Sequence, residues 1–348
     1  MRSLKHLPWV NILVILVNLT LVSTSCELFY EQPVAPTIHA LYIACDYKNN
    51  AYPSDNLHGT IRDAKELSAA MEQLATLKGL AYSGTTMFQE GTGSDSTSAL
   101  YPTRTNVLAQ LKTINTQITD TDILFVYYSG HGYLDTANGE ASLALPSFSS
   151  FLYTYLGVSE LQAQIKSMKG SKVLVLDSCY SGQFVDDYDE TTVRLNLDYD
   201  PRFFTIAASL ADGVSHEDVF FRDMEDYATK SAYHAYDTDS EPDDPVNHYH
   251  GHFTYYLLEA LGWNQSDGTD ETIDTDGVLT HVSGYLDTDH PIPAQNGNLI
   301  TIGDLYRYSI QKVGGYIDSG VARWSEFYNQ CAQINDGPLD MVLFSDTW

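Results

Sequence analysis

Positive charge is scarce in this chain. Over 348 residues, 18 Lys and Arg face 46 Asp and Glu, a formal net charge of −28. Such a surface repels phosphate backbones, which argues against nucleic acid as a partner and leaves cationic substrates compatible. Cysteine is scarce too. Four residues, Cys26, Cys45, Cys179 and Cys331, are too few for a disulfide scaffold. The surroundings of Cys45 and Cys331 read as strand interiors or flanks, so both are expected as buried free thiols. Beyond the first 25 residues, no apolar run approaches the roughly 20 residues that a membrane-spanning helix needs. With 43% apolar and 18% charged residues the chain reads as globular. Its length suits one large domain or two ordinary ones.

The N-terminal segment differs from the rest. Arg2 and Lys5 form a basic front, Leu7 to Val22 is largely apolar, and Ser23, Thr24 and Ser25 are small. That order is expected of an export signal spanning residues 1–25. Cys26 follows directly, and the arrangement resembles a bacterial lipoprotein signal, with Ser23 where that signal prefers Leu, Val or Ile. The resemblance implies acylation of Cys26 and a cell-envelope location. Ordinary signal-peptidase cleavage and secretion is the alternative, since small residues at 23 and 25 serve it equally.

Further along, apolar runs alternate with helical periodicity. Ile38 to Cys45 follows a linker containing Pro33 and Pro36 and reads as a strand. Ile61, Ala64, Leu67, Met71 and Leu74 recur at helical spacing, and a strand is expected at Thr86–Gln89. Pro102 and Thr103 open a helix carrying Val107, Leu108, Leu111 and Ile114 on one face. Ile123–Tyr128, Val173–Leu176 and Phe203–Ala208 are short apolar runs expected as strands buried on both faces. Leu156, Leu161, Ile165 and Met168 suggest a helix between the first two of these. Late helices are expected around Phe253–Leu261 and Ile302–Val313, and a last strand at Met341–Phe344. The alternation predicts an α/β fold, a mostly parallel central sheet with helices on both faces. Function in such sheets gathers at the carboxyl ends of the strands.

Two of those ends carry reactive side chains among small residues. One is Tyr128-Ser129-Gly130-His131-Gly132, the other Leu176-Asp177-Ser178-Cys179-Tyr180-Ser181-Gly182. If their strands are parallel neighbours, His131 and Cys179 emerge on the same edge. An imidazole beside a thiol raises its thiolate fraction, and flanking glycines leave backbone N–H groups for a developing oxyanion. A lone cysteine at a strand end is commonly a small buried hydrophobe, and a lone histidine a hydrogen-bonded core residue. The pair, separated by a helix, favours thiol catalysis.

Both segments resemble the His and Cys motifs of metacaspases and related bacterial caspase-like peptidases. Leu57 to Ala64, Pro102 to Asn106, Ala207-Ala208-Ser209 and Gly251-His252-Phe253-Thr254 resemble further segments of that family. The resemblance implies a caspase-like domain over 38–348, after a linker over 26–37. It comprises a large-subunit-like part at 38–185, an acidic linker at 186–202 and a small-subunit-like part at 203–348. It also implies a cysteine endopeptidase in which Cys179 attacks the carbonyl and His131 shuttles the proton. The backbone N–H groups of Gly132 and Cys179 would form the oxyanion hole. Asp63 and Asp177 match the family's primary specificity aspartates, which implies cleavage after Arg or Lys in protein or peptide substrates. Both also have plainer readings, Asp63 as a helix-dipole partner and Asp177 as a turn residue. Arg194, in the acidic linker, becomes a self-cleavage point.

No cofactor is expected. The family's calcium-dependent members use aspartates to which Asp186 and Asp187 could correspond, but the stretch between His131 and Cys179 lacks the matching acidic run. Asp274 to Thr280 resembles half of an EF-hand loop, yet Thr272 and Ser283 stand where its first and last acidic ligands belong. His248, His250 and His252 alternate without an accompanying cysteine, and are not expected to form a metal site. Residues 211–250 and 281–299 read as long loops. Two other functions fit the same sequence: a catalytically silent caspase-like binding module, and a peptidyl transferase using the same thiol.

Overall fold

A short apolar run becomes a buried strand when both of its faces are covered, and the centre of this molecule consists of such runs. The computed structural model describes residues 35–48, 56–147, 153–185, 200, 202–215, 217–219, 249–264, 272–273, 278–281, 284–318, 332–334 and 339–347. Strands β1 (Thr37–Cys45), β2 (Ala81–Gln89), β3 (Ile123–Ser129), β7 (Ser171–Asp177) and β8 (Phe203–Ala207) pair in parallel in the order β8-β7-β3-β1-β2. The two-residue strand Gln333–Ile334 adds an antiparallel edge beside β8. Every residue of β3 is buried, as expected of a strand covered on both sides.

Helices α1 (Thr60–Leu77), α2 (Arg104–Asn115) and α3 (Val158–Lys166) form the crossovers. One sheet face carries Leu41, Ile43, Leu124, Val126, Leu174 and Leu176, packed with residues of α2 and α3. The other face packs on α1 and α4 (His252–Ala260), and α4 in turn packs on α5 (Ile302–Asp318). Helix α2 starts where Thr103 accepts a hydrogen bond from the Asn106 N–H at 3.2 Å, a side-chain cap for an otherwise orphaned donor. The α/β class, the parallel sheet and the helices on both faces agree with the sequence pattern.

Three local features differ from expectation. Strand β2 extends back to Ala81, because its first half lies on an exposed edge where apolar residues are not required. Leu156 does not belong to the α3 helix. It closes strand β6 (Tyr153–Gly157), which forms a separate antiparallel sheet with β4 (Gly132–Leu134) and β5 (Ala141–Pro146). The last strand is Val342–Ser345, paired with Leu299–Thr301. Among the described residues no helix is long and apolar enough to cross a membrane. Cys45 is a buried free thiol; Cys26, Cys331 and the segments 1–25 and 186–199 lie outside the described residues.

Candidate active site

The sheet order reverses at β1, which has β2 on one side and β3 on the other. Open α/β sheets offer a crevice at such a switch point, beyond the carboxyl ends of the strands. The register between β3 and β7 sets Ser129 opposite Asp177, so the two motifs leave the sheet level with each other. The Gly130 N–H donates to the Asp177 carbonyl at 3.3 Å. Two residues on, the backbones of Gly132 and Cys179 meet so closely that a Cβ built on Gly132 would lie 1.8 Å from the Cys179 carbonyl oxygen. Only glycine fits there.

Cys179 heads a sharp turn. Tyr180 after it has φ 58°, and its N–H donates to the Gly213 carbonyl at 2.8 Å. Holding a tyrosine in the left-handed region costs on the order of 1–3 kcal/mol, which the surrounding contacts must offset. Gly182 in the same motif packs against the loop after β8, where a Cβ would lie 2.5 Å from the Ala211 nitrogen. Ser181 and Ser209 exchange hydrogen bonds across that contact. The Cys179 thiol donates to the Ser215 carbonyl at 3.7 Å. Burial, with the Asp177 charge adding to it, pushes this thiol above its ordinary range and so disfavours the thiolate. A base is needed to make it a nucleophile.

His131 is held through its backbone by two tyrosines. Its N–H donates to the Tyr47 hydroxyl at 2.8 Å, and its carbonyl accepts from the Tyr128 hydroxyl at 2.8 Å. The Tyr47 hydroxyl spends its own proton on the Ala144 carbonyl at 2.8 Å. The Tyr47 ring also lies against the His131 imidazole, with centroids 4.6 Å apart. Tyr47 has φ 58°, and it and Tyr180 are the two non-glycine residues with positive φ among the described residues. Gly130 leaves room for both hydroxyls, since a Cβ there would lie 2.6 Å from Tyr128 Oη and 2.7 Å from Tyr47 Oη.

Asp63 and Asp177 converge although they are far apart in sequence. Both flank Gly251, where a Cβ would lie 2.3 Å from Asp177 Oδ2 and 3.1 Å from Asp63 Oδ2. Asp63 is fully buried in the first turn of α1 and accepts from His250 Nδ1 at 2.7 Å and from the Gly251 N–H at 2.9 Å. Asp177 accepts from Ser215 Oγ at 2.5 Å and from Thr254 Oγ1 at 2.7 Å. Burial, and then the neighbouring Asp177 charge, pushes the Asp63 carboxyl well above the usual carboxylate range. Burial also raises Asp177, partly countered by its hydroxyl donors. Two carboxyls so placed do not both ionise readily near neutral pH, and a cation beside them would favour the doubly ionised state.

Sequence reasoning missed the roles of Tyr47, Ser215 and His250. His250 alternates with His248 and His252 in the sequence, but its Nδ1 is hydrogen-bonded to Asp63 at 2.7 Å, and His248 lies outside the described residues. Asp186, Asp187, Arg194 and the EF-hand-like residues Asp274 to Gly277 also lie outside them. Among the described residues no group of three or more His, Cys, Asp or Glu side chains is arranged to hold a metal ion.

No curated protein matches the chain at the level of sequence. Among solved structures, the chain is similar to caspase-1 from Spodoptera frugiperda, with 12% identity, a TM-score of 0.47, and 88% of this chain and 92% of that one covered. It is also similar to a protein from Geobacter sulfurreducens, with 16% identity, a TM-score of 0.39, and 65% and 81% covered. Residues 39–188, the segment carrying the His131 and Cys179 motifs, match the family model described as metacaspase, peptidase C14 domain. Over that segment the chain is similar to the metacaspase peptidase family.

Proposed function

We propose that the protein is a cysteine endopeptidase that cuts after Arg or Lys. The observation that carries this reading is the register of β3 against β7, which brings the Gly132 backbone onto that of Cys179. In this mechanism His131 takes the Cys179 proton, and the thiolate attacks the scissile carbonyl. The N–H groups of Gly132 and Cys179 receive the oxyanion. His131 then gives its proton to the leaving amine, and water releases the acyl group by the reverse sequence. Tyr47 acts as a positioning residue that fixes the imidazole by its ring and the His131 backbone by its hydroxyl. No step needs a cofactor.

Asp63 and Asp177 receive the basic side chain before the scissile bond. A carboxylate has about four lone-pair sites, and the described hydrogen bonds use two on Asp63 and three on Asp177, so both retain acceptor capacity. Charge-assisted hydrogen bonds of this kind contribute about 1.5–3 kcal/mol each. Self-cleavage at Arg194, acylation of Cys26 and export belong to the same reading and rest on the sequence.

The test assays the purified chain without residues 1–25 on peptides carrying Arg, Lys or Asp before the scissile bond, with and without calcium. Cleavage after Arg and Lys is expected, abolished by Cys179→Ala and by His131→Ala in folded protein. Asp177→Ala should lower kcat/KM for Arg substrates more than tenfold, since about 1.4 kcal/mol is one decade. Full activity of folded Cys179→Ala would end the enzyme reading. A preference for Asp would end the pocket assignment alone.

A further inference from the structure

Strand β4 leaves directly from His131, and one face of its sheet is not used by the chemistry above. In antiparallel pairs, opposed residues share a face. The pairing Tyr133–Ser142–Gly157 and Ala144–Tyr155 therefore places Tyr133, Ser142 and Tyr155 together, opposite the core face of Leu143 and Leu156. Aromatic rings run along this outer face from the candidate active site. Tyr153 lies 6.5 Å from His131 and 5.4 Å from Tyr47, Tyr155 lies 6.5 Å from Tyr153, and Tyr133 lies 4.8 Å from Tyr155, all between ring centroids. Tyr133 and Tyr155 are 45% and 42% exposed. The two rings touch at a tilt of 34° and remain open to a binding partner.

The rings end at a polar cleft of about 660 Å³, whose lining includes Thr103, Arg104, Asp135, Ser142, Tyr155 and Glu160. Ser142 lines this cleft and is only 8% exposed. Carboxylates outnumber cations here. Arg104 is matched by Glu160 through contacts of 2.7 and 2.6 Å, and Glu140 caps Ser159 at the start of α3. Asp135 uses one oxygen on the Ala137 N–H, and its other oxygen has no hydrogen-bond partner among the described residues.

We propose that this face is a binding track for a basic peptide segment on the leaving-group side of the scissile bond. The inference rests on the peptidase reading, because that reading assigns His131 to protonate the leaving amine, so the departing half of the substrate lies on the side where the rings begin. Lysine and arginine side chains can lie over exposed tyrosine faces and meet carboxylates beyond them. His131 and Tyr133 are two residues apart along the start of β4, so at about 3.3 Å per extended residue the track spans about two substrate residues. The track would then favour substrates with a second cluster of positive charge beyond the cut.

Three substrates share one Arg-containing segment before the scissile bond. One ends there in a small amine dye, one continues as a Lys-rich segment, and one as a Glu-rich segment of equal length. The wild-type protein should prefer the Lys-rich over the Glu-rich continuation at least tenfold in kcat/KM. Tyr155→Ala and Asp135→Asn should each reduce the ratio of kcat/KM for the Lys-rich to the dye substrate about fivefold. Equal rates on the two continuations, or a ratio unmoved in both variants, would overturn the track while leaving the peptidase reading intact. If the wild-type protein cleaves none of the three, the peptidase reading fails, and binding decides the track by itself. A labelled Lys-rich peptide should bind the Cys179→Ala protein about fivefold more tightly than it binds the same protein carrying Tyr155→Ala. Equal binding, or none, would show that general negative charge and not this face attracts the peptide.

Discussion

The closest backbone approach in the candidate site offers the sharpest perturbation. In Gly132→Ala, the added methyl would start 1.8 Å from the Cys179 carbonyl oxygen, where real Cβ contacts stay beyond 3.0 Å. The two backbones must therefore separate by at least about 1.2 Å (3.0 − 1.8). The atom encountered belongs to the backbone, so no side chain can swing aside. Misplacement of reacting groups by about 1 Å costs on the order of 10²-fold in rate. Loss of one oxyanion donor adds a penalty of similar size, about 10²–10³ in kcat. Overpacking costs about 1–3 kcal/mol of stability, which lowers the melting temperature without abolishing the fold. We therefore expect kcat/KM on an Arg-amide peptide to fall at least a hundredfold in protein that still melts cooperatively. Gly79→Ala serves as control: Gly79 has φ +71° and nothing within 4 Å of a built Cβ, so it should lose stability and keep its rate. A Gly132→Ala protein within threefold of wild type in kcat/KM would refute the close approach and the oxyanion reading together.

Three further outcomes are expected. Tyr47→Phe keeps the ring against His131 but leaves the His131 N–H without its acceptor. At about 1–3 kcal/mol for an unsatisfied buried group, kcat should drop about tenfold with KM little changed, and steady-state kinetics read this split. Alkylation of Cys179 by iodoacetamide should be slow at neutral pH and quicken above the ordinary thiol range, because burial and then Asp177 raise its pKa. Asp177→Asn should shift that profile to lower pH, and an unmoved profile would remove Asp177 as a cause. Affinity for a small guanidinium competitor should rise with pH above the usual carboxylate range: Asp63 and Asp177 have raised pKa values, the cation favours their ionised forms, and binding therefore releases a proton. Inhibition constants measured from acid to neutral pH decide this, and a flat profile would argue that the pair stays fully ionised in the free protein.

The parallel strands were legible because a buried strand has to be apolar on both faces, and Ile123–Tyr128 and Val173–Leu176 are too short and too uniform to be amphipathic helices. The meeting of the two motifs at Gly132 and Cys179 followed from strand adjacency alone. The β4–β6 sheet escaped because its strands are three to six residues long, and Leu143 and Leu156 face the core while Tyr133 and Tyr155 face outward. Leu156 also happened to fall in phase with the α3 helix. Tyr47 was invisible for a different reason. Its contact with His131 depends on a positive φ just after β1, a conformation that a tyrosine does not advertise. The role of His250 was not legible because its partner Asp63 lies 187 residues earlier in the chain.

The places where local rules fail are not scattered. Tyr47 and Tyr180, the two positive-φ tyrosines, sit against His131 and directly after Cys179. Asp63 and Asp177, two buried carboxyls with raised pKa values, lie at the start of α1 and the end of β7 and meet at Gly251. Each feature opposes folding, the first pair through backbone strain and the second through desolvation and like charge. A structural role does not require such costs, since an asparagine could make Asp63's hydrogen bond to Gly251, and a glycine could take either turn. Sequences that agree with their fold at every other level keep exceptions mainly where chemistry needs them. The pattern favours the proposed peptidase over a silent binding module. A module selected only for its surface would have no reason to keep strain behind the thiol, a clamp on the imidazole and two neighbouring buried carboxyls.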